Sequence, residues 1–364
     1  MKRMLVILLS VMLLISALPL SAGAEAGDSP FRLIPQEHRD GETYWKIGDF
    51  YFVDLNLYDE GVGEGEGTSE HYLVKTDEPY ASGDEEFETV VLNFHELAKE
   101  IGNYDQSSII AYSSVLSDGH ELYAVVNAVS VSDADPIGDY ENVIVKVNLE
   151  NLSHEIFRLK GNAGNMPVLG KMYKNNLYFG ANFDLLYRLS AGGKVTKTTS
   201  GLGELSTQQS DSGSRFIYTA LPRGYYETLK VFDAEKKSTV RTVSGVRGFF
   251  ATKTKLYYAK KEKSVLKVYE AKASGASPKL IYKLTNKSGL EYRLAKVDKK
   301  NIYLTSVDTK KDYKRTYYRY DRSSKKLRKI TYVKYAEATY DYIDGFEPID
   351  EYYSSLNADD KGAE

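Results

Sequence analysis

Along most of the chain apolar and polar positions alternate over short stretches, the period-two signature of half-buried strands rather than the 3.6-residue period of helices. One stretch recurs six times: Asp49–Val53 (DFYFV), Glu121–Val125 (ELYAV), Asn176–Gly180 (NLYFG), Arg215–Thr219 (RFIYT), Lys255–Ala259 (KLYYA) and Asn301–Thr305 (NIYLT). Each begins with a polar residue and runs into an apolar, aromatic strand. A second stretch follows each: Val90–Leu97 (VVLNFHEL), Val145–Leu152 (VKVNLENL), Leu186–Ser190 (LYRLS), Leu229–Asp233 (LKVFD), Leu266–Glu270 (LKVYE) and Tyr317–Asp321 (YYRYD). These stretches carry Asn, Asp or Ser where a turn is needed, because such side chains bond nearby backbone groups. Another strand-like run comes next, as in Glu155–Leu159, Thr239–Val243 and Lys279–Leu284.

Each repeat therefore predicts three or four antiparallel strands of 4 to 6 residues, at intervals of roughly 40 to 70 residues. That is the size of one β-propeller blade. The expected fold is all-β, a single propeller over residues 43–350 with six blades, mostly of four antiparallel strands. The strand-like segment 335–346 is expected to pair with the first blade and close the ring, which removes exposed sheet edges. The irregular spacing leaves a pair of β-sandwiches or a β-solenoid as the alternative. Helix is scarce. Phe94, Leu97, Ala98 and Ile101 have helical spacing, Asn93 and Glu96 form a capping box, and Gly102 is a stop. The same segment aligns with a strand–turn–strand of the repeat, so a single helical turn at most is expected there.

The N-terminus adds a destination. Lys2 and Arg3 precede an apolar run from Met4 to Leu20, and the small residues Ala22, Ala24 and Ala26 then offer a small-x-small cleavage pattern. Residues 1–26 are expected to be a secretory signal peptide, 27–42 an N-terminal extension and 351–364 an acidic flexible tail. The apolar run is also about long enough for an uncleaved membrane anchor. Pro19 and the small residues favour cleavage, no cysteine follows for a lipid anchor, and no second apolar span appears. The mature protein is thus expected outside the cytoplasm, secreted or held at the cell envelope, as a monomer without a transmembrane segment.

Composition narrows the chemistry. The chain has no cysteine, which excludes disulfides, zinc–thiolate sites and cysteine nucleophiles. It has 31 Tyr against 1 Trp, and tyrosine, with an apolar body and a polar tip, suits sheets that face water on one side. The net charge of −3 conceals a segregation. Residues 27–160 hold 28 acidic and 8 basic side chains, residues 161–335 hold 13 and 37, and residues 336–364 hold 9 and 1. Such a dipolar field steers partners and lets one side approach a polyanion.

The tyrosine-rich units, Lys255–Ala259 and Leu186–Ser190 in particular, resemble those of bacterial exported β-propellers of the TolB and tricorn N-terminal type. The resemblance covers roughly Thr43 to Phe346 and implies a fold, not a substrate. The chain departs from better-known repeat signatures. It lacks a Trp-Asp blade motif, a paired-Gly motif and the sialidase Asp box, and Tyr44-Trp45-Lys46-Ile47 breaks the Tyr-Trp-Thr-Asp pattern.

No catalytic motif stands out. His38, His71, His95, His120 and His154 are scattered without paired-ligand spacing, and no Gly-x-Ser-x-Gly elbow occurs. No cofactor is expected, although two acidic loops, Asp59–Glu70 and Ser132–Glu141, have the oxygen-rich composition that calcium takes. Basic clusters point elsewhere. Lys260, Lys261 and Lys263 form one, Lys310, Lys311, Lys314 and Arg315 a second, and Arg322 to Lys329 a third. The first two follow the tyrosine strands of successive units, so in a propeller they emerge on one face. Nucleic acid is not an expected partner of an exported protein. The expected function is non-enzymatic binding or scaffolding, with an anionic cell-envelope polymer or a protein as partner. The alternative is a propeller-type glycan hydrolase or lyase with convergent carboxylates at the central channel.

Overall fold

The structure is a computed structural model that describes residues 31–339. It leaves out 35–36, 40–41, 60–67, 78–88, 103, 105, 110–114, 133–134, 183, 202–203, 206–213, 224–225, 286–288 and 312–313. The expected signal peptide, most of the N-terminal extension and the acidic tail lie outside the described residues. Among the described residues no helix is long and apolar enough to cross a membrane.

The described residues form five antiparallel sheets in sequence order. Strand β1 (Arg32–Ile34) joins the second sheet. The first sheet runs β2 (Glu37–Arg39), β3 (Glu42–Ile47), β4 (Phe50–Asp59), β5 (Thr68–Thr76) and β6 (Thr89–Asn93). Helix α1 (Phe94–Gly102) follows. The second sheet holds β7 (Gln106–Ile109), β8 (Val115–Ser117), β9 (Glu121–Ser132), β10 (Asp135–Asn148) and β11 (His154–Arg158), with both β7 and β8 paired to β9. The third is β12 (Val168–Tyr173), β13 (Asn176–Ala181), β14 (Leu185–Ser190) and β15 (Val195–Thr199).

The fourth sheet has seven strands: β16 (Glu204–Leu205), β17 (Phe216–Arg223), β18 (Tyr226–Asp233), β19 (Ser238–Ala251), β20 (Lys255–Glu262), β21 (Val265–Lys272) and β22 (Lys279–Thr285). The fifth is β23 (Leu290–Val297), β24 (Asn301–Asp308), β25 (Lys314–Asp321) and β26 (Lys326–Ile330), and helix α2 (Tyr332–Thr339) ends the described chain.

These are consecutive antiparallel meanders, the blade units of a β-propeller. All six tyrosine stretches begin or lie within a strand, respectively β4, β9, β13, β17, β20 and β24. Sheets number five rather than six because the 14-residue β19 serves two units. Ser238 to Val243 pair with β18, Phe249 to Ala251 pair with β20, and Val246 pairs with both. Register shifts flank Val246, and Gly245 (φ 72°) and Gly248 (φ 84°) take the left-handed backbone that these bulges demand.

Alternation within the strands sets which sheets touch. On β9, Leu122, Ala124, Val126 and Ala128 pack toward the first sheet and α1, whereas Tyr123 and Val125 pack toward the third sheet. Tyr178 and Leu186 of the third sheet meet Ile217 and Phe232 of the fourth. Tyr257 and Val268 of the fourth meet Tyr292, Leu294 and Tyr318 of the fifth.

Turn chemistry follows the expectation. Asn148, Asp233 and Asp321 each accept two backbone N–H bonds at the turn leaving the third strand of a unit. Asp118 and Asp298 do the same before the tyrosine strand.

Two expectations are corrected. Phe94–Gly102 is a 9-residue helix, not a single turn. Asn93 caps it by accepting from His95 N and Glu96 N, and Phe94, Leu97, Ala98 and Ile101 are all buried. The stretch Val90–Leu97 therefore has no counterpart in the second unit, and the third strand of the first unit is β5. The segment 335–346 is not a closing strand over its described part, because residues 335–339 lie in α2. Tyr332, Tyr335 and Thr339 share one helical stripe, and the tyrosine rings lie 5.3 and 4.6 Å from Tyr317 on β25. The helix thus covers the far face of the fifth sheet; residues 340–346 lie outside the described residues.

Candidate anion-binding face

Strands β20 and β24 hold the same place in neighbouring units, so the hairpins leaving them emerge at the same end. The first hairpin carries Lys260 and Lys261 at the end of β20, then turns through Lys263 at φ 55°. The second leaves β24 at Asp308 and enters β25 at Lys314 and Arg315. Its turn is closed by Asp308, which accepts from Lys310 N, and by the Lys314 N–H to Lys311 O bond of 2.8 Å. Thr309 donates to Gly289 O from both its backbone and its hydroxyl, and the aliphatic stem of Lys310 lies over Gly289. Lys263, Lys310, Lys311, Lys314 and Arg315 are exposed, whereas Lys260 and Lys261 are half-buried.

An ion cluster underlies the two hairpins. Glu291, at the start of β23, accepts from Arg247 Nη2 at 2.8 Å and Lys261 Nζ at 2.6 Å. The Arg247 side chain is only 2% exposed. Glu291 stands opposite Val307, and Val307 opposite Arg315, so the cluster and the second hairpin share one end of the fifth sheet. Glu227 pairs with Arg293 across the same junction.

On the first hairpin Glu262 pairs with Lys267 and accepts from the Tyr269 hydroxyl at 3.2 Å. The Lys267 hydrogen bond, with that of Tyr269, holds Glu262 below the usual carboxylate range. Among the described residues the carboxylates of this end, Glu227, Glu262, Glu291 and Asp308, are therefore already engaged, and Lys263, Lys311, Lys314 and Arg315 have no carboxylate partner. A field of uncompensated, exposed cations over a satisfied ion cluster suits a multivalent anion.

Lys261 belongs to the supporting cluster rather than to the exposed set. Arg247 and Glu291 are the supporting residues that the sequence reading missed. The only signal for Arg247 was an arginine among Gly245, Val246, Gly248 and Phe249, in the more apolar C-terminal half of β19. The third basic cluster sits elsewhere: Lys325, Lys326, Arg328 and Lys329 lie on the β25–β26 hairpin, at the opposite end of the fifth sheet.

Among the described residues the histidine side chains do not converge. His71 pairs with Asp54, His120 with Glu150 at 3.0 Å and His154 with Glu100 at 3.0 Å, while His95 is exposed on α1. The side chain of His38 is outside the described residues. Among the described residues no group of three His, Asp or Glu could hold a metal. Residues 60–67 and 133–134 of the two calcium-like loops lie outside the described residues, and Ser132 and Asp135 pair in the β9–β10 ladder.

Carboxylates shifted from their ordinary pKa are lowered by separate local partners. Glu235 is held down by Lys174, Glu262 by Lys267 and Glu270 by Lys255, and Asp321 is lowered to about 2 by hydrogen bonds from Ser323 and Ser324. A glycosidic acid–base pair needs one carboxyl raised beside another, and none of these four carboxylates is raised.

No family model matches the chain, and no curated protein matches it. Solved structures similar to it include the β-propeller domain of the Trilobed protease from Pyrococcus furiosus, with 14% identity, 62% of this chain and 70% of that one covered, and a TM-score of 0.41. A post-proline cleaving enzyme from Rickettsia typhi also has 14% identity, with 84% and 46% covered and a TM-score of 0.41. An oligogalacturonate lyase from Vibrio parahaemolyticus has 10% identity, 59% and 62% covered, and a TM-score of 0.31. The chain spans about half the length of the Rickettsia enzyme and less than two thirds of the lyase.

Proposed function

We propose that this chain is an exported β-propeller that binds an anionic cell-envelope polymer through the basic end of its fourth and fifth sheets. In this reading residues 1–26 direct export, the six meanders within 43–350 are six blades of one domain, 351–364 form an acidic tail, and the protein acts as a monomer without a cofactor. The polymer presents phosphate or carboxylate groups at intervals. Lys263, Lys310, Lys311, Lys314 and Arg315 take them up, while Arg247, Glu291 and Lys261 hold the two hairpins in relation to each other.

The observation that carries the proposal is the pair of equivalent hairpins whose described carboxylates are already engaged beneath exposed cations. The test is co-sedimentation of the mature protein with purified anionic wall polymer across a salt series. A cation close to an anionic surface contributes about 1 kcal/mol. Replacing Lys310, Lys311, Lys314 and Arg315 with Ala should therefore weaken binding by roughly a hundredfold or more at low salt. Binding should also fall steeply with ionic strength. Unchanged binding by the fourfold variant, or binding indifferent to salt, would remove the proposal.

A further inference from the structure

A cleft of about 300 Å³ opens between the second and third sheets, where the acidic segment of the chain meets the basic one. Its polar wall is built by strand register. Lys146 on β10 stands directly opposite Tyr123 on β9 and Glu155 on β11, which makes one cross-strand row. Glu121, two residues before Tyr123, lies on the same face. Lys146 Nζ donates to Glu121 Oε1 at 2.5 Å and stands 3.9 Å from Glu155 Oε1. The Glu155 side chain is 62% exposed while that of Lys146 is 22% exposed, so Glu155 is the carboxylate with acceptor capacity left for a ligand.

Aromatic rings form the walls. Phe31 meets Tyr123 edge-on at 5.6 Å, and Phe157 lies beside them in the lining. Burial pushes the Tyr123 hydroxyl well above its ordinary pKa, with Glu121, Glu155 and Asp118 adding to the rise. The third sheet and its turns contribute Asn175 and Ser190 to the opposite side.

Three properties of this cleft define its ligand. Its volume is at the low end of the range of about 300–1,000 Å³ for small-molecule sites, room for one six-membered ring rather than an extended chain. Lys146 Nζ already lies over the buried Tyr123 ring at 6.0 Å, and the half-buried Phe157 ring offers a face for the C–H side of a sugar or for a cation. Two carboxylates against one ammonium leave the site net negative, which rejects uronates and phosphates and favours a positive group beside Glu155. We infer that the cleft binds a saccharide unit bearing a protonated amine. The ammonium sits on the exposed side of Glu155, away from Lys146 and against Phe157, and the hydroxyls bond to Asn175 and Ser190. The site is separate from the basic hairpins in position and in charge, so it stands or falls independently of the polymer-binding proposal.

The test is calorimetric or ligand-observed NMR titration of the full-length mature protein with glucosamine, glucose and glucuronate as probes. Glucosamine should bind more tightly than glucose, and glucuronate should not bind. Glu155→Gln removes one charge from an exposed side chain without disturbing the core. It should weaken glucosamine at least about fivefold, the effect of losing a charge-assisted hydrogen bond, and leave glucose unchanged. Phe157→Ala should weaken both. The fourfold variant at Lys310, Lys311, Lys314 and Arg315 should bind glucosamine like the parent protein. Failure to bind glucosamine, equal binding of glucuronate, or a Glu155→Gln variant with undiminished affinity would overturn the inference.

Discussion

Gly248 offers the sharpest test of how the fourth and fifth sheets meet. It lies in the bulge of β19 at φ 84°, and a Cβ there would sit 2.2 Å from Leu294 O and 3.2 Å from Leu294 N and C on β23. Those are backbone atoms of a buried strand, so no side-chain rotation relieves the clash. Gly245 is the internal control, with φ 72° and nothing within 4 Å of its Cβ position. Gly245→Ala carries only the left-handed penalty, about 1–2 kcal/mol. Gly248→Ala carries the same penalty plus the cost of forcing β23 away, roughly 1–3 kcal/mol for an overpacked site. Any gain from a stiffer unfolded chain, about 0.4–1 kcal/mol, applies equally to both and drops out of the difference. The expected order is thus about 1 kcal/mol for Gly245→Ala and about 2–4 kcal/mol for Gly248→Ala, read from urea unfolding midpoints at equal slope. If the two variants agree within about 0.5 kcal/mol, the strands do not approach as described and the junction has been misread.

Glu291→Gln should destabilise by about 2–3 kcal/mol. It weakens the partner of Arg247, and breaking a buried pair costs roughly 3–5 kcal/mol, less here because Glu291 is 21% exposed. The double change Arg247→Met with Glu291→Leu should recover most of that loss in the same urea assay. Burial also makes the fold sensitive to alkali: Tyr282 is pushed up to about 12, and burial raises Tyr292 and Tyr123 as well. Unfolded tyrosines ionise near pH 10, so the unfolded chain releases protons that the native chain keeps. Their stabilisation is complete below pH 10 and is lost as the pH climbs through about 12. A tyrosinate absorbance titration should show a late, cooperative phase coincident with loss of near-ultraviolet circular dichroism; smooth ionisation of every tyrosine near pH 10 in folded protein would contradict it.

The tyrosine strands were legible because side chains alternate between two sheet faces, so Leu122 and Tyr123 announce opposite neighbours. The Asn and Asp turns were legible because their hydrogen bonds are local. Helix α1 was underestimated because a match between Val90–Leu97 and the repeat outweighed its periodicity. Burial of Phe94 and Ile101 between two sheets is a tertiary gain that no local pattern displays. Helix α2 was misread because the tyrosines of 335–346 were weighed as strand formers, although Ala336 and Ala338 favour a helix. Its two tyrosines found Tyr317 at helical spacing instead. At the candidate face the exposed lysines were visible as clusters. The cluster of Arg247, Lys261 and Glu291 was not, because strand pairing and sheet packing alone bring these positions together.

The double membership of β19 bears on how such an array can be rearranged. Repeat architectures are commonly modular, with each unit contacting only its neighbours. Here one continuous strand is the outer edge of the fourth unit and the inner edge of the fifth, so those two are a single indivisible module. Nicking, insertion or permutation between residues 238 and 251 would open both at once, whereas breaks between other units fall in connections that belong to neither sheet. The smallest piece of this half of the chain that could be transplanted whole is therefore the seven-stranded sheet itself.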